Sequence, residues 1–148
     1  QLVEVVLTID LPDPASYVVI VDRLPGGLEA LNEGLATTSR VAEENAESQD
    51  ADWRSRGYNF KEIRADRVTF SVTEMSDKEH TITYLARATR PGTFTALPTE
   101  ASAMYDPIVW GRSESTPVTV GPRAVRTSAL WGVGSVPVRM GRTGRAMW

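Results

Sequence analysis

Val3-Glu4-Val5-Val6-Leu7-Thr8-Ile9 repeats with a period of two: Val3, Val5, Leu7 and Ile9 fall on one face, Glu4 and Thr8 on the other. Branched apolar residues alternating with polar ones describe a strand buried on one side. Leu11-Pro12-Asp13-Pro14 ends it, because proline has no N–H for a ladder and restricts the residue before it. Tyr17-Val18-Val19-Ile20-Val21 is a continuous apolar run and reads as a central strand. Leu24-Pro25-Gly26-Gly27 closes it as a turn in which glycine supplies positive φ, with Asp22 capping that turn through its own backbone. Asp22, Pro25, Gly26 and Gly27 together form the expected structural turn.

Further strands are predicted at residues 59–63, 68–72, 81–89, 93–97 and 117–120, with another extended piece starting at Leu28 and Leu31. In Val68-Thr69-Phe70-Ser71-Val72 the alternation is again strict, and Ile82, Tyr84, Ala86 and Ala88 share one side of their segment. Residues 37–57 are polar and acidic and form the longest predicted excursion, with one helical turn around 41–46. Seven or eight short strands, turn signals between them and little helix specify an all-β fold, an antiparallel Ig-like β-sandwich. Its expected core is Val5, Leu7, Val19, Val21, Phe70, Ile82, Tyr84 and Phe94.

The chain has 148 residues, of which 41% are hydrophobic, enough for one domain with a real core. No apolar run approaches the roughly 20 residues of a membrane helix. Charge divides the chain. Residues 1–120 hold all 19 acidic and 11 of the 16 basic residues, whereas residues 121–148 hold five arginines and no acid. That second stretch also holds five of the 11 glycines and shows no period, so it reads as a basic Gly/Arg-rich tail, disordered or non-native, adding no strand. The sandwich is assigned to residues 1–120. The chain starts at Gln1, inside a strand and without an initiator Met or signal peptide, and is expected to be an N-terminally truncated piece of a larger protein.

Nothing in the residues makes a positive case for catalysis. With no cysteine there is no thiol nucleophile and no disulfide framework. The lone histidine, His80, sits where a turn meets a strand and reads as an exposed surface residue, without the partners of a triad. The acidic stretch at 43–52 lacks the alternating ligands and central glycine of a calcium loop, and no phosphate-binding glycine loop opens a helix. No cofactor and no metal are expected.

Four segments, taken in order, resemble a known family. They are Tyr17-Val18-Val19-Ile20-Val21-Asp22-Arg23-Leu24-Pro25-Gly26-Gly27-Leu28-Glu29, then Lys61-Glu62-Ile63-Arg64-Ala65-Asp66-Arg67-Val68. After these come Tyr84-Leu85-Ala86-Arg87-Ala88-Thr89-Arg90-Pro91-Gly92-Thr93-Phe94 and Ala101-Ser102-Ala103-Met104-Tyr105-Asp106-Pro107-Ile108-Val109-Trp110-Gly111-Arg112-Ser113. Over residues 2–120 the chain resembles the C-terminal macroglobulin domain of bacterial α2-macroglobulins, the domain in the position of the animal receptor-binding domain. It departs from that pattern in lacking the opening strand or strands, in a longer and more acidic 39–54, and in residues 121–148.

The resemblance implies a non-enzymatic part of a broad-spectrum endopeptidase inhibitor that traps proteases. The parent would be extracytoplasmic, in the periplasm and in some cases lipid-anchored, and would serve bacterial defence. Its thioester would lie in a neighbouring domain, shielded until a bait segment is cut. The implied shielding loop is Met104, Tyr105, Asp106 and Pro107. The implied partners are the thioester-containing and other macroglobulin domains of the same parent chain, and target proteases through that parent, with no nucleic acid and no direct membrane insertion. An Ig-like repeat module of a bacterial surface or adhesin protein is the alternative. It accounts for the sandwich and the Asp22-to-Gly27 turn, but not for residues 101–113.

Overall fold

The computed structural model describes residues 2–32, 57–76 and 78–121, together with the backbone of residues 136–142. Eleven strands follow in order: β1 Leu2–Asp10, β2 Ala15–Arg23, β3 Leu28–Ala30, β4 Phe60–Ile63, β5 Arg67–Met75 and β6 Glu79–Ala88, then β7 Gly92–Ala96, β8 Glu100–Ala103, β9 Val109–Arg112, β10 Thr116–Val120 and β11 Val136–Arg142. Nine form one sheet in the order β3-β6-β1-β11-β9-β8-β2-β5-β4, and β10 pairs with β7 in a small second sheet.

The sheet folds over on itself, so that β1 and β6 form one layer of a sandwich and β2 and β5 the other. The strict alternation of β1 is realised: Val3, Val5, Leu7 and Ile9 are buried. They pair antiparallel along β6, from Leu2 opposite Arg87 to Asp10 opposite Glu79, beside buried Ile82, Tyr84 and Ala86. The facing layer contributes Val18 and Ile20 from β2 and Val68, Phe70 and Val72 from β5. Rings cross the middle: Phe70 lies 5.1 Å from Tyr58 and 5.6 Å from Tyr84, centroid to centroid. Burying each such side chain contributes about 1.5–3 kcal/mol.

Several expectations are corrected. The buried face of β2 is Val18, Ile20 and Asp22, while Val19 and Val21 lie half-buried on the opposite face. A continuous apolar run has two possible phases, and here the phase that buries a carboxylate wins because that carboxylate finds partners inside. Phe94 is only half-buried. His80 is half-buried rather than exposed, and its Nε2 meets the Gly57 carbonyl at 2.5 Å. The predicted set of strands omitted β8, β9 and β11. In particular, Val136–Arg142 adds a strand where the tail was expected to add none. It pairs parallel to β1 over Leu7 to Asp10 and antiparallel to β9 over Val109 to Arg112. Two strand edges one strand apart supply unpaired N–H and C=O groups on both sides of that slot, and a peptide lying in it satisfies both. Most of the predicted 37–57 excursion, including its helical turn, lies outside the described residues.

Candidate functional site

The candidate loop, residues 104–108, joins β8 to β9, whose pairing sets Ala101 opposite Gly111 and Ser102 opposite Trp110. Asp106 and Pro107 supply the local chemistry of a β-turn, with an Asx residue first and φ-restricted proline second. The turn is closed by the Val109 N–H donating to the Asp106 carbonyl at 2.9 Å. At the other end of the loop, the Met104 N–H donates to the Tyr17 carbonyl at 2.9 Å.

Tyr17 makes that bond by taking a left-handed backbone conformation, φ 53°, the only positive φ at a non-glycine among the described residues. For an aromatic side chain this costs about 1–2 kcal/mol. The β2–β5 ladder is interrupted there, between the Ser16–Glu74 and Val18–Val72 pairs. The N–H of Thr73, on the facing strand, donates instead to Asn59 Oδ1 at 2.7 Å. The Tyr17 ring meets the Tyr105 ring edge-on, 5.2 Å between centroids at 85°.

The strained residue thus fastens β2 to the loop through both its backbone and its ring. Tyr105 is 78% exposed and Met104 58%. Asp106 is half-buried, Pro107 is exposed, and Tyr17 and Ile108 add further exposed apolar surface. Beside the loop opens a cleft of about 220 Å³, between residues 11–17 on one side and Ala103, Tyr105, Asp106 and Val109 on the other.

The second predicted group separates into two structures. Pro25, Gly26 and Gly27 do form a turn: the Leu28 N–H donates to the Pro25 carbonyl, and the Thr89 N–H to the Gly27 carbonyl, both at 2.9 Å. Neither glycine needs positive φ, which occurs at Gly57 and Gly92 instead. Gly27 is required by the Phe94 ring, which would stand 2.3 Å from a Cβ placed there.

Asp22 does not cap this turn. It points into the sandwich, where its carboxylate accepts the Tyr84 hydroxyl at 2.5 Å and the Thr99 hydroxyl at 2.6 Å. Thr99 is held in turn by Ser113, through an N–H to Oγ bond of 2.9 Å and a return bond from the Ser113 N–H to the Thr99 carbonyl. Burial pushes the Asp22 carboxyl above its ordinary range, against the lowering effect of the two hydroxyl donors. Burial, and then the Asp22 charge, hold the Tyr84 phenol far above its own. This chain of bonds ties β6, β2 and the segments bracketing β8 and β9 together.

Residue pattern did not single out Tyr17, Tyr84 or Thr99 for these roles. Asp22 in phase with Val18 and Ile20, and a tyrosine on the buried face of β6, are the signals from which the cross-layer bond could have been read. Arg64, Asp66 and Arg67 make surface ion pairs, Arg64 with Glu62 at 2.9 Å and Arg67 with Asp66 at 3.0 Å.

Residues 1–107 match the family model of the bacterial Alpha-2-macroglobulin MG10 domain. The chain is 29% identical over 113 residues to an Alpha-2-macroglobulin homolog of Nostoc sp., covering 76% of this chain and 6% of that protein. It is 33% identical over 110 residues to the Alpha-2-macroglobulin of Escherichia coli K12, covering 72% and 7%. Its fold superposes on the crystal structure of trypsin-activated alpha-2-macroglobulin from Escherichia coli with a TM-score of 0.58 and 26% identity, over 74% of this chain and 8% of that one. The chain therefore spans less than a tenth of the length of the proteins it matches.

Proposed function

The chain belongs to the bacterial alpha-2-macroglobulin family, as an MG10 domain, and from that premise we propose that it is a non-catalytic cover for the thioester of a protease-trapping parent protein. The parent acts outside the cytoplasm, in the periplasm, lipid-anchored or free, and inhibits a broad range of endopeptidases. Before a protease cuts the bait segment, this domain packs against the thioester-bearing domain and keeps water and amines from the thioester carbonyl. The domain itself supplies no thiol, since its 148 residues contain no cysteine.

The observation that supports this reading is the presentation of Met104 and Tyr105. Both are exposed at the end of a hairpin held by the sheet and by Tyr17. A thioester persists in water only where its carbonyl is kept dry. An aromatic ring excludes water over a broad face, and a methionine adapts to an irregular one. A loop fixed at both ends delivers such side chains without a further ordering cost.

The test replaces Met104 and Tyr105 together by alanine in the thioester-bearing parent and measures methylamine incorporation, or free thiol release, before any proteolysis. The parent with both side chains reacts slowly, and the double variant reacts much faster. The isolated domain loses little stability, because substitutions at exposed positions cost within about 0.5 kcal/mol. Unchanged methylamine protection in a folded double variant refutes the shielding role.

A further inference from the structure

β11 lies between two walls that are each held from the far side. β1 is paired along all nine of its residues by β6, and β9 is paired by β8 through Trp110, Gly111 and Arg112. β11 itself follows each wall only part of the way, residues 136–139 along β1 and residues 139–142 along β9, so that Arg139 alone belongs to both ladders. Its pairing with β1 is parallel, the less stable kind of ladder, and Pro137 in that stretch has no N–H to give. Residues 121–135 separate it from the end of β10, and a chain of that length reaches up to about 50 Å when extended. The walls of the slot therefore keep their other ladders without β11, and the strand that fills it arrives as a separate peptide on a long connection.

The register shows what the slot selects. Val136 and Val138 stand level with Leu7 and Ile9, and Met140 with Gly111, all three of them buried positions of the core face. On the outer face one row crosses five strands: Glu79, Asp10, Arg139, Arg112 and Glu100. Like charges directly opposite each other, as Glu79 and Asp10 are, destabilise a strand pair. The slot strand sets a basic position beside them, and Arg112 has Glu100 on its other side. We propose that the slot between β1 and β9 is a strand-acceptor site, and that the occupant it takes from outside is residues 136–142 of a second copy of this chain, so that two copies associate by exchanging β11. The second copy supplies the same apolar alternation and the same basic position at the same register. Exchange keeps every backbone bond that β11 makes within one chain. The two arrangements then differ only in what the connection contributes, an effective concentration on the order of 1 mM. Reciprocal exchange gives a two-fold dimer in which each sheet is completed by the other chain. The inference stands apart from the shielding role, which involves other residues.

The chain has no cysteine, so Gly144→Cys accepts a single spin label just beyond β11. That chain, without isotope, is mixed in equal amount with the isotope-labelled 148-residue chain, and only an approach between copies can broaden the amide NMR signals that are observed. With a dissociation constant of about 1 mM, about half of the chains at about 1 mM total are exchanged, and about half of those have a spin-labelled partner. The amides of Val109–Arg112, which β11 of the other copy would flank, should then lose about a quarter of their intensity, and under about a twentieth after a roughly twentyfold dilution. Amides of β4, five strands along the sheet from β11, should lose less. Val136→Asp with Val138→Asp in the spin-labelled chain places carboxylates at the core register and should remove the loss. The observed chain is unaltered in that mixture, and its Leu7, Phe70 and Tyr84 signals report that it is folded. No loss at the slot at about 1 mM, a loss spread evenly over the surface, or a loss that survives the double substitution in β11 overturns the proposal.

Discussion

Tyr84→Phe removes one oxygen from the middle of the sandwich and keeps the ring that packs on Phe70. No cavity of consequence forms, so the loss reports on the hydroxyl alone. That hydroxyl donates at 2.5 Å to a buried carboxylate whose other donor is Thr99. A hydrogen bond to a charged group contributes about 1.5–3 kcal/mol, and a buried acceptor left short of a donor keeps its full desolvation cost. The expected loss at neutral pH is therefore about 2 kcal/mol, a fall of roughly 6–8 °C in melting temperature for a domain of this length.

The pH dependence of that loss has a fixed sign. Burial raises the Asp22 carboxyl above its unfolded value, so the folded chain holds the proton to higher pH than the unfolded chain does. The Asp22 contribution is then most favourable below the unfolded value, near 3.8, and falls as pH rises through the raised folded value. Without Tyr84 as a donor, the folded value rises further and the fall extends to higher pH. The deficit of Tyr84→Phe should consequently be smallest in acid, at about 1 kcal/mol for a neutral bond, and grow toward neutrality. Urea unfolding of the parent, Tyr84→Phe, Asp22→Asn and the double variant, at several pH values, gives the coupling directly; about 1–3 kcal/mol is expected at neutral pH. A Tyr84→Phe variant within about 0.5 kcal/mol of the parent at neutral pH, or a deficit that shrinks as pH rises, refutes this account of the buried carboxylate.

Two further outcomes can be checked with the same unfolding measurements and with hydrogen exchange. Tyr17→Gly should be more stable than Tyr17→Ala by about 1 kcal/mol, the reverse of the usual strand order, because only glycine takes the left-handed backbone without a steric cost. Removing residues 122–148 takes away β11 and should deprotect those amides of Leu7–Asp10 in β1 and Trp110–Arg112 in β9 that point toward it, with a fall of several degrees in melting temperature. A truncated chain with unchanged protection there would mean that β11 contributes nothing to the sheet.

The strands easiest to read in the sequence are those whose neighbours impose a single phase. β1, β5 and β6 each have one wet face and one dry one, so polar and apolar residues alternate and the pattern is visible in Val3 to Ile9 and Val68 to Val72. β2 has no such contrast. Its apolar run permits both phases, and the one adopted depends on Tyr84 and Thr99, residues 62 and 77 positions away from Asp22, waiting as donors. β8 reads as Glu-Ala-Ser-Ala, too short and too small-sided to give a signal. It becomes a strand because β2 and β9 lie on either side of it. At the loop, the exposure of Met104 and Tyr105 could be expected from the Asp106-Pro107 turn that follows them. The part played by Tyr17 could not, since its backbone is bent by a bond to Met104 that exists only in the folded chain.

The insertion of β11 also bears on self-association. It leaves the nine-stranded sheet ending in β3 and β4, of three and four residues. Strands that short offer another chain few backbone groups to pair with, and Glu29, Lys61 and Glu62 add charge to them. Were β11 to leave its slot, Leu7 to Asp10 of β1 and Val109 to Arg112 of β9 would lose the strand beside them, opening two new edges in the middle of the sheet. One peptide of seven residues therefore separates a sheet whose edges resist stacking from one whose edges invite it.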